Sequence, residues 1–214
     1  LKAALHPLAA IVLVFAPSLA PAAQEGDFIY TDNGSTITID GYVSGAPAAV
    51  VIPETIIGKP VTAIKSQAFG LRSDLSSVTI PDSVTSIGQS AFLYCSGLTH
   101  VTLPSNLTSL GVSALSGCSG LTSVTVPAGI TSLENGMFSN CSSLQSVTFA
   151  GNLTSIGASA FHGCSGLQYF VIPPTVTTIG SRAFQNCSNL TSVTLPPNLS
   201  TIAEYTFAGC SNLQ

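Results

Sequence analysis

The sequence predicts a solenoid: a mainly β array of stacked 23-residue turns behind an N-terminal β-hairpin. Three observations predict it. Leu75, Leu98, Leu121, Leu144, Leu167 and Leu190 each open one copy of L-x-x-V-T-I-P-x-x-V-T-S-I-G-x-x-A-F-x-x-C-S-x. Cys95, Cys118, Cys141, Cys164, Cys187 and Cys210 recur at the same 23-residue interval, placing one thiol at the same point of every turn. Within each copy, L-x-x-V-x-I alternates apolar and polar residues at period two, the pattern of a half-buried strand.

Taken in order, residues 1–22 read as a secretory signal peptide. Lys2 gives a weak basic start, Leu8 to Ala16 an apolar run, and Ala20-Pro21-Ala22 the small residues of a cleavage site after Ala22. That run is too short to span a bilayer comfortably, so no membrane span is expected once the leader is removed. Residues 23–47 form the cap and its linker. Two β-rich runs, Phe28–Thr31 and Thr36–Val43, flank Asp32-Asn33-Gly34, and Asn-Gly favours a tight hairpin turn because both residues tolerate positive φ. The array then occupies 48–214. Its first repeat, 48–74, is irregular: it carries an insertion around Ile56-Ile57-Gly58-Lys59-Pro60, read as a loop bulging from one edge, and Arg72 stands in the cysteine position. Six regular repeats fill 75–212, and Leu213-Gln214 match the start of a further one.

Inside a repeat, proline ends the first strand in all copies except the one with Ala150, because it removes an N–H that a longer strand would need. A second extended piece, such as Val84-Thr85-Ser86-Ile87, turns at Gly88. Glu134 and Ala203 replace that glycine in two copies, so positive φ is not required there. The Ala-Phe pair and the cysteine read as a short helical or 3₁₀ turn leading to the next strand. A single turn orders more backbone than its few apolar side chains can stabilise, so repeats must stack and like residues must form columns. Phe69, Phe92, Phe138, Phe161, Phe184 and Phe207 make an aromatic column, with Leu115 substituting once. The cysteines read as a column of small buried thiols. Rungs about 4.8 Å apart would also bring neighbouring Cα atoms within disulfide reach.

Composition excludes several functions. Lys2, Lys59, Lys65, Arg72 and Arg182 form no dense basic patch on a chain of net charge −4, so nucleic-acid binding is not expected. No CxxC or Cys/His pairing offers a zinc site, and no metal or cofactor is expected. His100 and His162 are the histidines beyond the leader. His162 is near Cys164 in sequence, but that cysteine belongs to the structural column, so no enzyme is expected.

The combination of period, Ile-Pro step, Ile-Gly step and A-F-x-x-C turn resembles the BspA-like (treponemal-type) leucine-rich repeat of bacterial surface proteins and some protists, over about residues 48–214. The resemblance implies a leucine-rich-repeat solenoid with a curved parallel sheet on one face and short 3₁₀ or helical turns and loops on the other. It also implies a chain that is often exported and that binds proteins or cell surfaces, and it brings no catalytic residues.

The strand positions that point away from the core are the expected contact surface. They are mostly Ser and Thr, forming a neutral, hydroxyl-rich sheet. His100, Gln145, Gln168, Tyr169 and Val171 depart from that pattern and are the candidate ligand-binding residues, an exposed Tyr being a common contact hot spot. The expected function is a secreted or cell-surface scaffold that recognises protein or glycan ligands on this face. Its alternatives are a spacer presenting another domain, or a Thr-rich surface matched to polysaccharide or ice. The last rung shows no polar cap, which predicts end-to-end self-association.

Overall fold

The computed structural model describes residues 23–43, 45–199 and 201–214. The leader expected at 1–22 lies outside the described residues. The chain is a mainly β parallel solenoid of about seven turns. We number them rung 1 (48–74), rung 2 (75–97), rung 3 (98–120), rung 4 (121–143), rung 5 (144–166), rung 6 (167–189) and rung 7 (190–212).

The cap is larger than a hairpin. Strands β1 (Ala23–Glu25), β2 (Phe28–Asp32) and β3 (Ile37–Tyr42) form an antiparallel meander. Its β2–β3 turn falls one residue later than expected. Asn33 N–H donates to Thr36 C=O, so Gly34-Ser35 are the loop residues; Gly34 has φ +93°, while Asn33 is not in the left-handed region. Rung 1 holds β4 (Ala49–Val51), β5 (Thr55–Ile56) and β6 (Lys59–Ile64). The inserted segment is itself a hairpin rather than an open loop: β5 pairs antiparallel with β6, and Ile57 and Gly58 turn with φ of 47° and 76°. That is the mirror-image turn that suits a two-residue connection, here with a β-branched residue in a disfavoured conformation.

The regular rungs each carry two strands. They are β7 (Ser77–Thr79) and β8 (Ser86–Ile87), β9 (His100–Thr102) and β10 (Ser109–Leu110), β11 (Ser123–Val126) and β12 (Ser132–Leu133). They continue as β13 (Ser146–Phe149) and β14 (Ser155–Ile156), β15 (Tyr169–Val171) and β16 (Thr178–Ile179), and β17 (Ser192–Thr194) in rung 7. Two parallel ladders result, in register from one repeat to the next: Val78 faces Val101 in one and Ile64 faces Ile87 in the other. The cap joins the second ladder, where β3 pairs parallel with β6. Ala150, lacking the proline ring, donates its N–H to Val126 C=O at 3.0 Å and lengthens the β11–β13 pair.

The third side of each rung contains no helix or 3₁₀ segment among the described residues, contrary to the sequence expectation. It is a run of β-turns. In rung 2, Ala91, Leu93 and Cys95 donate to Gly88, Ser90 and Phe92, three residues back. The intervening Ser90, Phe92 and Tyr94 donate forward to Val112, Ala114 and Ser116 of rung 3. Alternate N–H groups therefore hold the next rung, which removes the donors a helix needs. Ser90 and Tyr94 also take φ of 55° and 56°, values incompatible with a right-handed helix.

The core is built from columns. Phe69 stacks on Phe92 at 5.1 Å, and Phe161 lies 5.5 Å from Phe138 and 5.2 Å from Phe184, with interplanar angles of 13–17°. The cysteines are free, and each thiol donates to the carbonyl of the residue 26 positions back. Cys95 Sγ reaches Phe69 O at 3.0 Å, Cys141 Sγ reaches Leu115 O at 3.2 Å and Cys187 Sγ reaches Phe161 O at 3.1 Å. A small side chain with one donor is what this buried carbonyl requires.

Arg72 ends the column by a different chemistry. Its guanidinium donates to Val43 O at 2.9 Å and Ala46 O at 3.4 Å, lies over the Tyr42 ring and pairs with Asp74. Lys59 reaches Asp32 at 2.8 Å and Lys65 lies 3.3 Å from Asp40. Three of the five basic residues thus tie the cap to rung 1.

Both ladders are interrupted. In the second, β8 pairs with β10, but β10 does not pair with β12; in the first, neither β9 with β11 nor β13 with β15 is paired. Glu134 explains the break in the second ladder. At Gly88, Gly111 and Gly180 an added Cβ would lie 2.4–2.5 Å from a backbone N of the preceding rung. Glycine is needed there for close approach rather than for its φ, and Glu134 brings a Cβ to the same place. At Ala203, the other replacement, Ile202 is 52% exposed, whereas Ile87, Ile156 and Ile179 in its column are buried.

Candidate functional site

The strand pattern sends Val inward and its neighbours outward. Val101 in β9 and Phe170 in β15 are buried between exposed residues. Tyr169 and Val171 therefore project from one face, at 67% and 64% exposure, facing Ser192 and Thr194 of the next strand in register. Gln145 and Gln168 occupy the position immediately after the repeat leucine. Threonine in that position folds back on the array: Thr99 Oγ1 donates to Ser76 O at 3.1 Å and Thr191 Oγ1 to Gln168 O at 2.8 Å. The two glutamines have no such hydroxyl. Among the described residues, neither amide, nor the Tyr169 hydroxyl, makes a hydrogen bond within the protein.

Gln145, Gln168 and Tyr169 line one shallow depression of about 110 Å³, floored by Gly166. Val171 lies two residues along the same strand. His100 stands apart. It shares the Tyr169 column but lies three rungs earlier, roughly 15 Å at strand spacing. It lines a separate groove of about 200 Å³ with Thr102 and Ser123, and its Nδ1 lies 3.0 Å from Thr99 Oγ1.

The depression sits where β13 and β15 fail to pair. Gln145 N–H donates to Thr122 C=O and Thr191 N–H to Gln168 C=O, but Gln168 N–H has no partner on rung 5. Two bulky core residues lie beneath the opening. Phe170 replaces the valine of Val78, Val101, Val124 and Val147, and Phe149 replaces the aliphatic residue that closes the strand. Their rings meet edge-on at 6.3 Å, and Phe170 also presses on Phe161 and Phe184 at 4.9 and 5.0 Å. Sequence reasoning attached no role to Phe149 or Phe170, although each departs from its column and was detectable on that ground; it placed Arg72 in the cysteine position without its contacts to the cap.

The thiols and His162 are engaged elsewhere among the described residues. Burial pushes the Cys95 thiol up to about 11 and those of Cys141 and Cys187 up to about 12, and it also raises Cys118, Cys164 and Cys210. Cys164 is directed at Phe138 O at 3.0 Å, while His162 Nε2 lies 3.4 Å from Asn186 Nδ2. No group of His, Cys, Asp or Glu among the described residues is arranged to hold a metal ion. Val171 and the two ladder openings interrupt the threonine column Thr79, Thr102, Thr125, Thr148, Thr194, so the face is not a regular lattice of hydroxyls.

Stacked parallel strands closed by a repeating 23-residue turn define a leucine-rich-repeat solenoid. The chain belongs to the BspA-type leucine-rich-repeat family: six copies of that repeat region match, over residues 62–190 and 138–214. It is similar to the crystal structure of the T. pallidum leucine-rich-repeat protein TpLRR, with 32% identity and a TM-score of 0.61 over 90% of this chain and 79% of that one. A leucine-rich-repeat protein of Bacteroides ovatus is 27% identical with a TM-score of 0.61, over 89% of this chain and 45% of its own. One from Eubacterium ventriosum is 25% identical with a TM-score of 0.77, over 88% of this chain and 50% of its own. No match was found among curated proteins.

Proposed function

We propose that the chain is an interaction scaffold that works outside the cell and holds its ligand on the outward face of the first ladder, at Gln145, Gln168, Tyr169 and Val171. The observation that carries this reading is the convergence of side chains without internal partners on one opening of the ladder. Elsewhere on rungs 2–7 the outward strand positions are short hydroxyl side chains, apart from His100. A large exposed ring beside two free amides is the composition of a contact hot spot. Export is supported by the leader read at residues 1–22 and by the family's occurrence in bacterial surface proteins. No helix of the described residues is long and apolar enough to cross a membrane.

The test is binding of the purified chain to an array of extracellular-matrix proteins and glycans. Tyr169→Ala is expected to weaken the interaction about tenfold or more with the thermal midpoint unchanged, whereas His100→Ala leaves it intact. If the wild-type chain engages nothing on the array, the spacer reading replaces this one. If Tyr169→Ala binds as wild type does, the site is misplaced.

A further inference from the structure

We infer that the ligand of the Gln145–Tyr169 depression is a neutral glycan, an inference that rests on the sheet-face reading above and narrows it to a chemical class. The first argument is charge. None of the outward strand positions from Ser76 to Thr194 carries a charged side chain. The single Lys or Arg of rungs 2–7 is Arg182, which lies on the turn side over the Tyr205 ring at 5.4 Å, away from this face. A sulfated, phosphorylated or sialylated ligand would find no cation here, and a charged protein rim would find no complement.

The second argument is the kind of contact available. Tyr169 offers a broad apolar ring face that ends in a hydroxyl, on which the C–H face of a pyranose can pack. Each glutamine offers one carbonyl acceptor and two N–H donors, the set that adjacent sugar hydroxyls match. Gln168 N–H adds a backbone donor that the open ladder has left without a partner. The depression is shallow, at about 110 Å³, and accepts the edge of a ring while the rest lies along the open face. Ser192 and Thr194 continue that face on rung 7, in register with Tyr169 and Val171. A sugar with several hydroxyls can satisfy this arrangement, whereas a purely apolar ligand would bury the amides unpaired.

The experiment uses the full chain on a microarray of neutral oligosaccharides (glucans, mannans, galactans) beside sulfated and sialylated counterparts, followed by calorimetry on the hits. At least one neutral oligosaccharide is expected to bind. Tyr169→Ala and the double variant Gln145→Ala/Gln168→Ala should each weaken it about tenfold, and Tyr169→Phe should stay within about threefold, because the ring face is kept. All these side chains are exposed, so circular dichroism and the melting midpoint should not move. Failure of every neutral glycan to bind, preference for the acidic set, or binding indifferent to Tyr169→Ala overturns the inference. If a protein ligand loses affinity on Tyr169→Ala while no glycan binds, the sugar assignment falls and the sheet-face reading stands. If no bound ligand of any kind responds to Tyr169, both fall.

Discussion

Replacing Glu134 by glycine is expected to close the second ladder between rungs 3 and 4. Where the ladder is intact, Thr154 N–H donates to Thr131 C=O at 2.8 Å and Gly157 N–H to Leu133 C=O at 2.8 Å. The equivalent bonds one rung earlier, Thr131 N–H to Thr108 C=O and residue 134 N–H to Leu110 C=O, are missing. Two restored backbone bonds at about 1 kcal/mol each, less about 0.5–1 kcal/mol for the added freedom of glycine, leave a gain of about 1 kcal/mol. Amide hydrogen exchange reads this directly. The Thr131 amide should slow about fivefold, the factor that 1 kcal/mol sets, towards the protection of Thr154 and Thr177 in the same spectrum. The groove of about 220 Å³ between Ser109 and Ser132 should close with it. If Thr131 exchanges as fast in Glu134→Gly as in the wild type, the Cβ at residue 134 is not what separates these rungs, and the steric account of the glycine column is wrong.

The remaining predictions concern the cap, the aromatic wedge and the thiols. Arg72→Ala should destabilise the cap by about 1–3 kcal/mol, because three half-buried carbonyls, of Tyr42, Val43 and Ala46, lose a charged donor, and Arg72→Lys should not restore it. Faster exchange confined to residues 28–42 is the expected signature, and uniform loss of protection along the array would contradict it. Phe170→Val should let β13 and β15 pair, seen as new protection of the Gln168 amide; an unchanged rate there would mean that the Phe149–Phe170 contact does not hold the strands apart. The thiols predict an alkaline limit. Below the ordinary thiol value of 9.0, folded and unfolded chains are both protonated and stability is flat. Between there and about 11–12 only the unfolded chain releases protons, so stability should fall with rising pH. Chemical melts at pH 8 and pH 10.5 test the sign, and equal midpoints would refute it. At neutral pH a disulfide-exchange reagent should modify the half-buried Cys210 promptly and the five buried thiols only on unfolding.

Much of this architecture is readable from one repeat. The inward residues of L-x-x-V-x-I, the Phe column and the free thiols follow from a period shared by every copy. The turns were not readable, because what decides their conformation lies elsewhere in the chain. The Ser90 N–H bonds Val112 C=O, so a segment that looks locally helical is held in another shape by the next rung. The insertion hairpin was hidden for a related reason: Ile57 disfavours positive φ, and its turn is supported from the cap, where Glu25 accepts its N–H at 3.3 Å. The candidate site was half legible. Tyr169 and its glutamines broke a surface pattern that could be seen, but their grouping around a gap depends on where the ladder opens, which the repeat pattern does not encode.

The thiol bonds run backward along the chain, from Cys118 to Phe92 O in the rung before it, while the turn amides run forward, from Phe92 N–H to Ala114 C=O in the rung after it. The array therefore has a growing edge with a fixed polarity. When a chain appears N-terminus first, each new rung satisfies its sulfur as it docks and leaves turn amide donors and ladder carbonyl acceptors for the next. Cys210 shows the state of a thiol at such an edge, already bonded to Phe184 O at 3.0 Å though only half-buried. Each sulfur is thus hydrogen-bonded as soon as its own rung is in place, and the rung that follows completes its burial.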